Sequence, residues 1–187
     1  MHLKSDLDHK GAMEYVLKDK IFDILDIRNL EKDLFQQENF EPVEKGDTDE
    51  SSSLLCLRIK KPDINLYTSK KVENLLGKNE FISFLKSQTN LKRIEIDRCQ
   101  AHVYKTGDFL SLHNDTESCA EYKYSCILFL SDDYEGGEFK VYNRGNCYSF
   151  KPNYGSLLII KSGLMHEVCK IKKGIRKVLV FFLKSNL

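Results

Sequence analysis

Short stretches of alternating or continuous apolar residues follow one another after about Leu91 and constrain the fold more than any other feature of this chain. Gly, Asn and Asp separate these stretches, as turns separate strands. Eight such segments in about ninety residues, with no long helical pattern between them, indicate an antiparallel sandwich or jelly roll. The candidate strands are residues 94–104, 109–114, 123–131, 137–142, 147–151, 156–161, 165–171 and 176–184.

The residues before this strand-rich half show helical spacing instead. Apolar residues recur every three or four positions over residues 27–38, which predicts an amphipathic helix with Asp26 as its N-cap. Two short helices are predicted over residues 69–76, closed by Gly77, and over residues 80–88, capped by Asn79. Strand-like runs are expected at residues 21–25 and 54–59, a polar surface loop at 41–53, and a loosely attached extension or short helix in the first twenty residues.

A chain of 187 residues has the usual length of one domain and can bury enough surface to fold without a metal or disulfide. We therefore predict a single domain over residues 1–187. Its fold class is mainly β, with a helical support region at 20–93 bracing a jelly-roll core at 94–184. The polar loops 41–53 and 116–123 are candidate covers of a site and candidate determinants of specificity.

Charge and targeting signals exclude several classes of protein. The 29 basic and 28 acidic residues give a net charge of +1, which argues against a general nucleic-acid binder. No apolar run approaches the roughly 18 residues of a membrane span, and the first residues lack the apolar core of a signal peptide. We expect a cytoplasmic protein without membrane contact, whose six cysteines are reduced thiols.

A His-x-Asp pair in the second candidate strand is the first sign of chemistry. Residues i and i+2 of a strand project from the same face, so His113 and Asp115 are expected to converge. A further ligand would come from another strand, and His166 is suitably placed in the strand-rich half. Two histidines and one carboxylate suit non-haem Fe(II), because such a triad leaves coordination positions open for reactants. Taken alone, a His-x-Asp pair is more often an ordinary surface pair.

Arg176, ten residues after His166, strengthens this interpretation. It shares strand parity with Val178, which predicts an inward side chain. A buried guanidinium is unfavourable unless it meets an anion, and its planar fork suits a carboxylate. The alternative is an arginine at a strand end whose head reaches solvent.

The order of these motifs resembles that of the Fe(II)- and 2-oxoglutarate-dependent dioxygenases of the prolyl 4-hydroxylase-like group. The resemblance covers about residues 94–184. It implies a double-stranded β-helix, Fe(II) held by His113, Asp115 and His166, and Arg176 binding the distal carboxylate of 2-oxoglutarate. It also implies O2 as cosubstrate, ascorbate as a candidate reductant, and hydroxylation of a C–H bond with release of succinate and CO2. The motifs are His113-Asn114-Asp115, Leu130 to Phe139, Lys151-Pro152 to Gly155, and His166-Glu167-Val168 to Gly174-Ile175-Arg176.

The same resemblance suggests further contacts. Tyr104 stands where many members carry a tyrosine beside the cosubstrate, and Ser125 and Phe129 share the parity expected to line the pocket. Related hydroxylases often have a tyrosine where Phe129 stands, so we expect Tyr104 or Ser125 to supply the missing hydroxyl. Gln100 and His102 could reach the same cavity and contact substrate, although a hydrogen-bonded interior histidine is the preferred interpretation of His102.

Other functions stay open at this point. One alternative is a jelly-roll module that binds a metal or ligand without turnover, because it would need the same three ligands and Arg176. Another is a hydrolytic zinc site, but it would give Arg176 no role. The basic residues around 170–177 are typical of a solvated face rather than a nucleic-acid site. A halogenase is disfavoured because Asp115 is present. The substrate is either a peptidyl residue of a protein or a small molecule, and the oligomeric state does not follow from the sequence.

Overall fold

An antiparallel seven-stranded sheet, the major sheet, forms the centre of the molecule. The computed structural model describes residues 3–17, 20–36, 41–42, 55–59 and 69–185. Along the described chain, the helices are α1 (Leu3–Lys10), α2 (Ile24–Phe35), α3 (Lys70–Leu76) and α4 (Asn79–Thr89). The strands are β1 (Ala12–Val16), β2 (Glu41–Pro42), β3 (Leu55–Ile59), β4 (Glu95–Tyr104), β5 (Leu110–His113), β6 (Tyr122–Phe129), β7 (Tyr134–Gly136), β8 (Phe139–Asn143), β9 (Asn146–Phe150), β10 (Ser156–Lys161), β11 (His166–Val168), β12 (Ile171–Gly174) and β13 (Arg176–Lys184).

Three antiparallel sheets contain these strands. The major sheet has the order β1-β10-β6-β13-β4-β3-β2, and a minor sheet has the order β5-β11-β8-β9. A two-stranded ribbon of β12 and β7 completes the structure. The mainly β jelly-roll fold predicted from the strand spacing is therefore confirmed, and every strand predicted beyond Leu91 has a counterpart in it.

The major sheet is buried on both of its faces. Along β6, Cys126 and Leu128 pack with the helices, whereas Ile127 and Phe129 pack with residues of the minor sheet and the ribbon. We call the first the helix-backed face and the second the barrel face. Fully burying an aliphatic or aromatic side chain contributes roughly 1.5–3 kcal/mol, so both clusters stabilise the domain. Burial on two faces also explains why the central strands read as continuous apolar runs.

The N-terminal region is bound more firmly than predicted. After the short helix α1, strand β1 pairs along its whole length with β10 at the edge of the major sheet. The short helix expected as one alternative for the first twenty residues is present as α1, whereas a loose attachment is wrong; the five residues of β1 show no clear alternation that would have predicted a strand. Ala12 and Tyr15 are both buried, and the strand is stabilised by a partner far along the chain. The predicted strand at 54–59 is confirmed as β3, whereas the helical support region also contains β2.

Two helix starts differ from prediction. Helix α2 begins at Ile24 because Asp23, rather than Asp26, accepts a hydrogen bond from the amide of Leu25 at 2.8 Å. Only Ile24 and Leu25 of the strand-like run at 21–25 belong to this helix, and Leu25 is exposed. Helix α4 starts at Asn79 itself, after Lys78, without a side-chain cap. Ser69 caps α3 through the amide of Val72, and Gly77 ends it as predicted.

The two predicted loops have different outcomes. Residues 43–53 of the loop 41–53 lie outside the described residues, and Glu41 and Pro42 form β2. The loop predicted at 116–123 is shorter, since β6 already begins at Tyr122 and a 3-10 turn occupies Asp115–Glu117. Within the part of the chain that the structure describes, no helix combines the length and apolar character needed to cross a membrane. The cytoplasmic location and the single domain stay predictions.

Candidate active site

Two neighbouring strands of the minor sheet and one turn bring the three predicted metal ligands together. His113 is the last residue of β5 and His166 the first of β11, and the two are direct partners in the antiparallel register. Their ring centroids lie 4.3 Å apart. Asp115 follows in the 3-10 turn, so the strand alternation that predicted its position ends at His113. Asn114 caps this turn by accepting from the amide of Glu117, which turns Asp115 towards the histidines.

The ligand atoms form one compact group. His113 Nε2 lies 3.7 Å from Asp115 Oδ1, and His166 Nε2 lies 3.4 Å from Asp115 Oδ2. All three ligand atoms lie within 4.8 Å of one another. The Nδ1 atoms face the carbonyl oxygens of Ser111 and Leu164 at 2.8 and 2.9 Å. Because those carbonyls accept the Nδ1 protons, both Nε2 lone pairs are free to bind a metal.

The electrostatics of the group also suit a metal. Burial lowers the pKa of His166 and keeps its imidazole neutral. Burial acts the same way on His113, but the hydrogen bond and charge of Asp115 outweigh it and raise its pKa. For Asp115, burial favours the protonated acid, yet the two histidines and Ser125 together lower its pKa. Two imidazoles and one carboxylate fit Fe(II). Binding of the metal would displace the proton that Asp115 favours on His113 Nε2.

Two buried serines fix the carboxylate of Asp115 through hydrogen bonds. Ser125 Oγ donates to Asp115 Oδ2 and lies 2.8 Å from Ser162 Oγ. The Asp115 amide donates to the Ser162 carbonyl at 3.0 Å, so side chain and backbone are held together. Ser125, predicted as a cosubstrate contact, therefore lies against the metal ligands. Nothing in the sequence pattern singled out Ser162.

Arg176, the first residue of β13, is only 1% exposed, as its parity predicted. Its guanidinium carbon lies 4.9 Å from the ring centroids of both Tyr104 and Phe129. Among the described residues, none provides a hydrogen-bond partner for Nε, Nη1 or Nη2. A buried cation with five unsatisfied donor hydrogens is strongly unfavourable unless an anion completes it. The site therefore fits a carboxylate, such as the distal one of 2-oxoglutarate.

A line of polar side chains runs along β4 towards Arg176. Tyr104 Oη lies 3.5 Å from His102 Nδ1, and His102 Nε2 accepts from the Gln100 amide at 3.2 Å. The Gln100 oxygen in turn accepts from Arg98 Nε at 3.0 Å. Burial and the charges of Arg176 and Arg98 lower the pKa of His102 to about 3. His102 is thus a neutral, hydrogen-bonded interior histidine, and its predicted contact with substrate stays a prediction, as does that of Gln100.

Part of the chain is similar in sequence to known oxygenases and hydroxylases. The model of the 2OG-Fe(II) oxygenase superfamily matches residues 99–184. A PKHD-type hydroxylase from Colwellia psychrerythraea is 38% identical over 65 residues, which is 34% of this chain and 29% of that protein. The chain therefore matches less than a third of the length of this curated relative.

Solved structures share the fold over almost the whole chain. A 2OG-Fe(II) oxygenase-family oxidoreductase from Burkholderia pseudomallei superposes with a TM-score of 0.84 at 24% identity, covering 97% of this chain and 89% of that one. A Pseudomonas putida prolyl-4-hydroxylase superposes with a TM-score of 0.73 at 16% identity, covering 99% and 98%. At these identities the likeness shows the fold, including the N-terminal part that the family model does not match.

Proposed function

We propose that the protein is an Fe(II)- and 2-oxoglutarate-dependent hydroxylase of the prolyl 4-hydroxylase-like type. The match of residues 99–184 to the model of the 2OG-Fe(II) oxygenase superfamily and the fold shared with a prolyl-4-hydroxylase support this proposal. The observation that carries the proposal is the pairing of a complete His-Asp-His group with a buried arginine that lacks a protein partner among the described residues. A hydrolytic zinc site would use the His-Asp-His group but would leave the buried Arg176 without a role.

The chain's own residues would divide the work. His113, Asp115 and His166 would hold the metal through three ligand atoms and leave coordination positions open for small molecules. Arg176 would bind the distal carboxylate of 2-oxoglutarate, and the rings of Tyr104 and Phe129 would exclude water from that ion pair. Low local polarity strengthens such a pair, provided that both charges are matched.

Fe(II), 2-oxoglutarate and O2, when bound together, supply the oxidation of a C–H bond to C–OH, while 2-oxoglutarate is converted to succinate and CO2. Ser125 and Ser162 would keep the Asp115 carboxylate in one orientation during this reaction. The carbonyls of Ser111 and Leu164 would hold each imidazole in the tautomer that binds metal.

Succinate release tests the proposal. The protein supplied with Fe(II), 2-oxoglutarate and O2 is expected to form succinate, faster when a substrate is present. His113→Ala and Asp115→Ala should lose both stoichiometric iron binding and succinate formation while staying folded. Retained iron affinity in both variants would contradict the metal assignment. Binding of iron and 2-oxoglutarate without succinate from any substrate would favour the alternative, a ligand-binding module without turnover.

The substrate is proposed to be a peptidyl residue of a protein or a small molecule, with the C–H bond placed beside the metal. A screen of peptides and metabolites for stimulated succinate release separates the two classes. Ascorbate can be added in the same screen, since it would act only as a reductant that maintains Fe(II).

A further inference from the structure

Arg98 lies at a bulge in β4 and has a strained backbone. The register with β13 shifts here, because Phe181 pairs with Cys99 and Phe182 pairs with Asp97, which makes Arg98 the extra residue. Its φ is 37°, a value that residues other than glycine rarely adopt. Bulges re-aim side chains and are frequent beside active sites, and strain of this kind persists only where surrounding contacts hold it. The contacts of Arg98 therefore bear on the site.

The Arg98 guanidinium fixes the orientation of the Gln100 amide. A guanidinium has donors and no acceptor, so it can face only the oxygen of that amide. Nε and Nη2 of Arg98 lie 3.0 and 3.1 Å from the Gln100 side-chain oxygen. The amide nitrogen of Gln100 consequently faces His102 Nε2 at 3.2 Å and donates to it.

This contact fixes the tautomer of His102. Burial and the charges of Arg176 and Arg98 lower its pKa to about 3, so the imidazole is neutral and has one N–H. Because Nε2 accepts from Gln100, the proton lies on Nδ1. Nδ1 faces Tyr104 Oη at 3.5 Å, and in this contact the imidazole is the donor and the phenol oxygen the acceptor. The Tyr104 proton is thereby directed away from His102.

The other tautomer would reverse the last contact. With the proton on Nε2, His102 Nδ1 would accept from the Tyr104 hydroxyl, whose oxygen would then offer only lone pairs to its other neighbours. The ring of Tyr104 lies 4.9 Å from the guanidinium carbon of Arg176, at the cavity of the proposed cosubstrate. The tautomer of His102 thus decides whether this wall of the cavity presents a donor or an acceptor.

We propose that Arg98 is a positioning residue of the active site: through Gln100 it fixes the tautomer of His102, and so it sets the Tyr104 hydroxyl as a donor towards the cavity. The effect on ligands rests on the function proposed above, because an anionic 2-oxo acid needs donors around it. A tyrosine beside the cosubstrate is already expected from the resemblance. Arg98 adds control over the direction of its hydrogen bond from a position three side chains away.

Nitrogen-15 NMR spectroscopy of the imidazoles at pH 7 shows the tautomer directly. Zn(II) in place of Fe(II) keeps the loaded protein diamagnetic, and the His102 signals are identified by their loss in His102→Asn. The parent should show the proton on Nδ1. Arg98→Met and Gln100→Met should each give a mixture of both tautomers, whereas Arg98→Lys keeps a donor and should retain more of the parent tautomer. The parent tautomer in both methionine variants would overturn the proposal.

Calorimetric titration of 2-oxoglutarate into the Fe(II)-loaded protein without O2 tests the consequence for binding. Arg98→Met should raise the Kd about 3- to 10-fold, the effect of one neutral hydrogen bond. In a Tyr104→Phe background the same substitution should cause no further loss, because the hydroxyl that it directs is absent. Arg93→Met is the matched control, since Arg93 is exposed and precedes β4. It should leave both the tautomer and the Kd unchanged.

Two results of the titration would overturn the role of Arg98 towards the ligand. One is an unchanged Kd in Arg98→Met despite an altered tautomer, and the other is an equal loss with and without the Tyr104 hydroxyl. If the iron-loaded parent did not bind 2-oxoglutarate at all, the proposed function would fail instead. The NMR spectra would still decide whether Arg98 fixes the tautomer of His102.

Discussion

The two faces of the major sheet bury their side chains equally well but differ in polarity. On the helix-backed face, Leu34, Phe81 and Phe181 are 0–1% exposed and belong to a cluster of almost entirely apolar side chains. The barrel face buries Arg176 and Ser125 at 1% exposure each. Burying polar groups costs free energy unless they are matched, so the first face is built for stability and the second retains groups for a ligand.

The polar groups of the barrel face are themselves of two kinds. Ser125 and His102 find partners within the protein, and so they fix the geometry of their neighbours. Arg176 has side-chain donors without a described partner. In a native interior, unsatisfied donors are rare, and each needs an explanation such as a bound ligand. The satisfied groups Ser125 and His102 thus support the site, whereas the guanidinium of Arg176 marks its binding surface.

Phe81→Ala should give the largest effect and should be confined to stability. Removing this side chain leaves a cavity in the helix-backed cluster and lowers the free energy of unfolding by about 3–5 kcal/mol. The folded fraction should still bind iron and 2-oxoglutarate normally. Chemical denaturation measures the stability, with exposed Leu25→Ala, at 60% exposure, as a control expected within about 0.5 kcal/mol of the parent. An equally mild result for both variants would contradict the division between the faces.

Arg176→Met should show the opposite behaviour. Removing an unpaired buried charge is expected to leave stability unchanged or higher, whereas 2-oxoglutarate binding should weaken by about 2–5 kcal/mol. Calorimetry and thermal melting measure the two effects separately. Arg176→Lys keeps the charge but loses the bidentate fork, so it should also weaken binding. Full affinity in the methionine variant would show that another cation holds the cosubstrate.

Ser125→Ala tests the distinction between groups that support the metal ligands and groups that bind the cosubstrate. Its hydroxyl bonds to Asp115, so we expect iron affinity to fall about 10- to 100-fold. At saturating iron, the affinity for 2-oxoglutarate should not change, because Arg176 remains. Competition with a metal-binding dye measures the first quantity and calorimetry the second. A selective loss of 2-oxoglutarate affinity would return Ser125 to the cosubstrate contacts.

We expect His102 to make the free energy of unfolding depend on pH, with a smaller effect than the substitutions above. Its folded-state pKa of about 3 lies below the ordinary value of 6.5, so the unfolded chain binds the extra proton first. The free energy of unfolding should therefore fall as pH drops below about 6.5 and stop falling near 3. At pH 5.5 the loss from this residue is on the order of 1 kcal/mol relative to neutral pH. Denaturation of His102→Asn at both pH values should show a correspondingly weaker dependence.

Much of this protein follows from short-range pattern in the sequence. Alternation and turn residues identified the strand-rich half, and strand parity turned Arg176 inward. The His113 and Asp115 pair and its distal partner were expected to converge, and the structure brings them within 4.8 Å. These features depend on spacing within one element or on residue types with few other uses in a core. A linear sequence contains both kinds of information.

Tertiary structure alone decided the contacts between distant segments. The pairing of β1 with β10, the contact of Ser125 with Ser162, and the packing of Tyr134 beside Arg176 all join residues that lie far apart in the sequence. Each depends on strand register, and the packing of Tyr134 beside Arg176 depends also on Gly137, which leaves room for both side chains. A shift of one residue in register would exchange the two faces of a strand. Sequence pattern thus determined which side chains are buried, whereas the three-dimensional register decided which of them meet, because pairing energy comes from partners outside the local segment.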